Sequence, residues 1–253
     1  MDHSLSGPVD FLVAANAIWI LDSKNYVIKV FDETNRLIRV FPNPPWDNHR
    51  EPLLKQPKRL FVIEGRAYVF DTVDGTNVLT EFAFDGRMVA RHPLKVPGID
   101  PQSGSEVGNA VEFFLANSWH RLRFDTLTRT ASIVEMAKAP SLYPAQRDEK
   151  GNILAFLSLP GDGVSQWAFD PIPRCQYALI DGNVFKFDCV SNNIAKVDKT
   201  GAEVERWSLP FQYGSVFGTQ VRASGKNLFV TARRKREQGI GQIVELWKMS
   251  FYR

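Results

Sequence analysis

Apolar and polar positions alternate with a period of two along much of this chain. The clearest stretch runs Ile18-Trp19-Ile20-Leu21, then the polar turn Asp22-Ser23-Lys24-Asn25, then Val27-Ile28-Lys29-Val30-Phe31-Asp32. The pattern predicts strands at Phe11–Ala14, Ile18–Leu21, Val27–Phe31 and Leu37–Phe41, with turn-forming residues between them. No stretch longer than about ten residues carries a 3.6-residue apolar period, which argues against a parallel α/β fold.

Four short antiparallel strands in about 33 residues make a unit the size of one β-propeller blade. Weaker copies follow. Phe31-Asp32 is echoed by Phe84-Asp85, Phe124-Asp125, Phe169-Asp170 and, less closely, Val197-Asp198. An apolar segment lies upstream of each copy: Tyr68-Val69-Phe70, Phe113-Phe114-Leu115, Leu154–Leu157 and Val184–Phe187. A sixth unit, Asn227–Val230 with Ile243–Trp247, lacks the Asp. The expectation is an all-β, six-bladed β-propeller forming a single domain over 1–253. The echoes fall at unequal intervals, with the shortest between Asp170 and Asp198, so counts of five or seven blades stay open. A sandwich does not repeat a four-strand unit six times.

The segment Asp22-x-x-Asn25-x-x-Ile28-x-Val30-Phe31-Asp32 resembles the NHL-repeat signature of six-bladed β-propellers. It departs from that signature at Val27, where such repeats usually carry Arg. The resemblance covers residues 18–41 well and 183–209 in part. It implies a propeller, and broadly similar proteins are non-enzymatic binding platforms, with lyases and lactonases a minority. Propellers host many functions, so chemistry has to be argued from the residues themselves. Asp and Asn side chains cap backbone N–H groups in turns. Asp22, Asp32, Asp85, Asp125, Asp170 and Asp198 are therefore expected to be structural caps.

Composition narrows the classes. In 253 residues, 44% hydrophobic and 23% charged content is ordinary for a protein with a real core. The net charge of +3 is too small to point to nucleic acid or an anionic membrane. No apolar run reaches the length of a membrane span. Met1–Gly7 holds no apolar signal core, so the chain is either cytosolic or a processed form with an added Met. The processed periplasmic or extracellular reading is preferred.

Candidate chemistry is sparse. His3, His49, His92 and His120 show no metal-ligand spacing, and no cofactor is expected. A Ca2+ site built from carboxylates of several blades around a central channel stays open. No G-x-S-x-G elbow is present, and Gly239-Ile240-Gly241 is too short for a phosphate loop. Cys175 and Cys189 flank Asp181-Gly182-Asn183. A three-residue loop there would place the two cysteines opposite each other for a disulfide, while a two-residue loop would offset them by one.

Two surface candidates remain. The Pro-rich segment after Phe41 carries Trp46, His49 and Arg50, residue types common at binding hot spots. The alternative for Trp46 is packing between units. Arg233, Arg234, Lys235 and Arg236 lie in the last hairpin, as an anion-binding loop or simply a solvated tip. The last unit offers three strands, leaving an edge for a partner or the N-terminal residues to complete. The expectation is a non-enzymatic module that binds a protein or other ligand through loops at one end of the ring, such as 42–57 and 96–108. The alternative is a metal-dependent hydrolase or lyase at the channel mouth.

Overall fold

The computed structural model describes residues 5, 7–42, 51–101, 104–115, 120–135, 143–147, 153–158, 165–168, 175–180, 183–188, 193–198, 202–208, 220–224, 227–235 and 242–250. The chain falls into two compact units, Met1–Met136 and Ala137–Arg253. Among the described residues there is no α-helix, and none long and apolar enough to cross a membrane.

The first unit contains three four-stranded antiparallel sheets. The first is β1 (Pro8–Ala14), β2 (Ala17–Asp22), β3 (Val27–Phe31) and β4 (Leu37–Phe41). The second is β5 (Arg59–Ile63), β6 (Arg66–Val73), β7 (Thr76–Phe82) and β8 (Met88–Pro93). The third is β9 (Ser105–Val107), β10 (Ala110–Phe114), β11 (His120–Asp125) and β12 (Thr130–Glu135). The second unit contains β13 (Tyr143–Arg147), β14 (Ile153–Ser158) and β15 (Ser165–Ala168) in one sheet. A four-stranded sheet follows with β16 (Cys175–Ile180), β17 (Asn183–Asp188), β18 (Asn193–Val197) and β19 (Glu203–Ser208). The last holds β20 (Gln220–Ser224), β21 (Asn227–Lys235) and β22 (Gln242–Ser250). Every strand pairs with its sequence neighbour, so each sheet is a meander.

Tight turns make this possible. Ala15-Asn16 and Glu64-Gly65 both have positive φ at two consecutive residues, the backbone of a two-residue hairpin turn that matches strand twist. Packing then follows the period of two. Leu60, Ala67, Val69 and Phe82 on one face of the second sheet meet Trp19, Leu21, Ile28, Val30 and Phe41 of the first. The intervening residues Phe61, Ile63, Tyr68, Phe70 and Leu79 face Val111, Phe113, Leu122 and Phe124 of the third. The three inner strands of the second sheet are therefore buried on both faces over most of their length.

The four strands expected over residues 11–41 are all present, and each upstream apolar segment is the second strand of its sheet. Among the described residues six sheets are found, as many as the sequence units. One echo is displaced. Phe31 and Val197 end the third strand of their sheets, and Phe124 is next to last in its own. In the second sheet that place belongs to Phe82, not Phe84. A bulge between Val30 and Phe31 recurs between Glu81 and Phe82, and the Asp32 N–H to Arg36 carbonyl bond recurs as Ala83 to Arg87. Phe82 is fully buried while Phe84 is 57% exposed, because it lies in the turn beyond the strand.

The aspartates behave as caps. Asp32 accepts from the N–H groups of Thr34 and Arg36, Asp85 from Arg87, Asp125 from Leu127 and Thr128, and Asp198 from Ala202. Asp22 accepts from Gly7 and Asn25 N–H and from the Asn25 side chain. Asp71, in the matching strand of the second sheet, accepts from the N–H groups of Lys55 and Gln56. In both sheets an Asp of the second strand thus ties down the segment entering the first strand. Asp170 lies outside the described residues.

Candidate functional site

Within the first unit, the turns joining first to second and third to fourth strands share one end of each meander. That end gathers the most distinctive charged group among the described residues. Glu81 occupies the position in β7 that Val30 occupies in β3, and its side chain is completely buried. It stands opposite Tyr68 and diagonal to His92, which pairs with Leu79, so all three share the face toward the third sheet.

Three donors satisfy this carboxylate. Arg66 Nη1 reaches Glu81 Oε1 at 2.5 Å and Arg129 Nη2 reaches the same oxygen at 3.1 Å. His92 Nε2 meets Oε2 at 2.9 Å, and an ionised carboxylate there requires that nitrogen to donate. Burial works to raise the Glu81 carboxyl, but the hydrogen bonds from His92 and Arg66 and the charge of Arg129 outweigh it and leave the group below its ordinary value. Burial, with the charge of Glu81 behind it, pushes the Tyr68 phenol up. A carboxylate so occupied is placed to hold cations rather than to take a proton.

The elements that carry the two arginines are themselves fixed. Arg66 follows the Glu64-Gly65 turn directly. Arg129 belongs to the third sheet, in the turn between β11 and β12, with φ at 57°. The Asp125 carboxylate pins that turn through Leu127 and Thr128. The His92 ring packs against Phe124 at 4.9 Å between centroids. Outward of the buried carboxylate, Arg66 and Arg129 are 44% and 45% exposed.

An exposed aromatic ring lies beside the turn that precedes Arg66. The Arg39 guanidinium lies 3.7 Å from the centre of the exposed Phe84 ring and donates Nη1–H to the Phe84 carbonyl at 2.9 Å. This joins the first sheet to the second by a cation–π stack and a hydrogen bond. Phe84 also lies beside Gly65, the residue before Arg66. Leu127, in the same turn as Arg129, is 65% exposed.

The first strands β1, β5 and β9 lie side by side, and the carboxylates of β1 and β9 are engaged by the backbone of β5. Asp10 Oδ2 accepts from Leu60 N–H at 2.8 Å and lies 3.6 Å from Arg59 Nε. Glu106 Oε1 accepts from Val62 N–H at 2.7 Å. The free N–H groups of β5 are thus capped from both neighbouring sheets, which is how an edge strand is protected. Glu112 is likewise held by Arg121 and Arg123 at 3.0 and 2.6 Å. No group of three or more potential metal ligands occurs among the described residues.

Of the sequence candidates, Trp46, His49, Arg50, Arg236 and Cys189 lie outside the described residues. Arg233, Arg234 and Lys235 are in β21, paired with Val244, Ile243 and Gln242, rather than in a loop. Ile180 pairs with Asn183, so the hairpin has the two-residue loop, and Asp188 stands opposite Cys175. The stretch 96–108 contains the strand β9 as well as loop. Sequence reasoning missed Arg66, Glu81 and Arg129 and gave His92 no role. The available signal was a glutamate in the third strand at a position that is apolar, Val30, in the first sheet.

No protein-family model matches the chain, and no curated protein matches its sequence. No family match therefore supports the NHL resemblance, which rests on residues 18–41 and, in part, 183–209. Solved structures do match. A streptogramin B lyase aligns with a TM-score of 0.54 at 14% identity, over 98% of this chain and 84% of that one. The virginiamycin B lyase from Staphylococcus aureus gives 0.52 at 14% identity, over 98% and 86%. The PQQ-bound aldose sugar dehydrogenase from Streptomyces coelicolor gives 0.53 at 11% identity, over 97% and 95%. At these identities the likeness establishes the fold alone: the chain is an all-β protein of the β-propeller type.

Proposed function

We propose that this β-propeller is a non-enzymatic binding module that takes a protein partner on the hairpin end of its first three sheets. One observation carries the reading: an exposed phenylalanine, stacked under Arg39, lies beside Gly65, whose neighbour Arg66 is one of two half-exposed arginines held by a buried glutamate. Aromatic and arginine side chains dominate binding energy at protein interfaces, and rigidly held ones lose little entropy on binding. The buried carboxylates Asp10, Asp22, Asp71, Glu81 and Glu112 are all engaged by protein donors, which favours a scaffold over a general-base or metal site. The six sheets are read as six blades, the first of NHL type. Trp46, His49 and Arg50 are not counted among its contacts, because β4 ends and β5 begins at the opposite end of their sheets.

The test is affinity capture from an extract of the native host, run in parallel with the wild-type chain and an R39Q/F84A variant. A protein retained by the wild type and lost with the variant is the expected result. Identical captured sets would sink the reading. So would a stoichiometric metal whose chelation abolishes turnover of a substrate.

A further inference from the structure

We infer that Arg66 and Arg129 form an oxyanion-binding site, taking a carboxylate or phosphate group of the ligand beside the Phe84 ring. This rests on the binding-module reading and assigns chemistry to one part of that surface.

The charges argue for it first. One buried carboxylate needs one guanidinium for neutrality, yet two converge on a single Glu81 oxygen, and His92 adds a third donor on the other. With His92 neutral the group keeps one net positive charge, concentrated on two guanidiniums that repel each other. An oxyanion spanning both would relieve that repulsion. Donors come next. Each guanidinium carries five N–H groups. Among the described residues, Glu81 Oε1 is the single hydrogen-bond acceptor of both arginines. Their exposure of 44% and 45% leaves the remaining N–H groups within reach of a ligand.

Geometry completes the case. Both arginines adjoin tight turns of positive φ, so their positions are set before any ligand arrives. The turn that precedes Arg66 is open as well: a Cβ added at Gly65 would meet only Phe84 Cδ2, at 3.9 Å. A ligand that placed an oxyanion over the arginines and an apolar group on Phe84 would use both features. Arginine pairs are suited to carboxylate and phosphate because their planar forks match those oxygens bidentately.

Calorimetric titration of the full chain at low ionic strength tests this, with inorganic phosphate and acetate as the two probes. The variants are R66Q/R129Q and the control R36Q, whose arginine is 75% exposed and paired with Asp32 elsewhere. Saturable binding to wild type and R36Q, weakened at least about tenfold in the double variant, is expected for paired charge-assisted bonds. Tighter binding of phosphate would identify a phosphoryl group, and equal or tighter binding of acetate a carboxylate. If the double variant does not fold, R129Q alone carries the comparison, because its side chain lies on an exposed turn. Absence of saturable binding to wild type, or equal affinity in the arginine variants, overturns the site. If a partner is still lost with R39Q/F84A in that event, the binding-module reading stands without it.

Discussion

The Asp10 carboxylate accepts a hydrogen bond from the Leu60 backbone N–H at 2.8 Å, linking the first strand of one sheet to the first strand of the next. Asp10 is 1% exposed and also lies beside Arg59, so the contact is a buried, charge-assisted one. Removing it leaves the Leu60 N–H without its acceptor, while Arg59 keeps the Gly104 carbonyl. Asp10→Ala should therefore destabilise the protein by about 3 kcal/mol, since a buried N–H loses its acceptor and a buried guanidinium its counter-charge. Urea unfolding measures this, and a cost near zero would show that the two sheets are joined by apolar packing alone.

The displaced echo in the second sheet has a direct test. Phe82, which fills the core, and Phe84, which lies on the surface, are two residues apart. Phe82→Ala should cost about 3–5 kcal/mol, as large-to-small changes in a packed core do. Phe84→Ala should cost about 1 kcal/mol or less, the worth of an exposed cation–π contact. The reverse order would return Phe84 to the repeat register.

Two glycines separate steric from conformational causes. A Cβ on Gly104 would come within 2.5 Å of Phe61 and 2.8 Å of Phe113, both in the core. Gly75 has nothing within 4 Å but sits at φ +77°. Gly104→Ala should cost about 2 kcal/mol through overpacking, and Gly75→Ala about 1 kcal/mol through backbone strain alone. Thermal unfolding of both variants gives the ranking.

The Asp32 cap predicts a pH dependence. The Thr34 hydroxyl, then the Arg36 N–H, hold the Asp32 carboxyl at about 2, below its ordinary 3.8. Because the folded value is the lower one, the cap's contribution is fully present above 3.8 and is lost as pH falls from there through about 2. A carboxyl NMR titration should find the low midpoint, and Thr34→Ala should raise it. An unchanged midpoint in that variant would remove the hydroxyl as the cause.

The fold was more legible in the sequence than the site. Strand positions in the first sheet followed from the period of two, because burial on a sheet face enforces it, and Asp caps were visible because their partners lie two to four residues away. Register in the second sheet was not, since Phe82 and Phe84 are alike in type and only the bulge decides between them. The Glu81 group was hidden for another reason. Its members come from β6, β7, β8 and the turn after β11, and no local spacing links Arg129 to Glu81, which lie 48 residues apart. The interior glutamate in β7 was the visible trace, and it acquires meaning only once the third sheet supplies its arginine.

The meander order also has a bearing on biosynthesis. Each sheet pairs only strands that are consecutive in the chain, so a sheet can assemble as soon as its last strand leaves the ribosome. The contacts between sheets cannot form on that schedule. Asp10 meets Leu60 only after another 50 residues have been made, and until then its carboxylate has no Leu60 N–H to accept from. The first sheet therefore emerges with a charge where its core will be, and that charge stays solvated until the second sheet arrives. A nascent sheet with a hydrated aspartate on its leading strand is a poor template for pairing with the same strand of another chain on the same message.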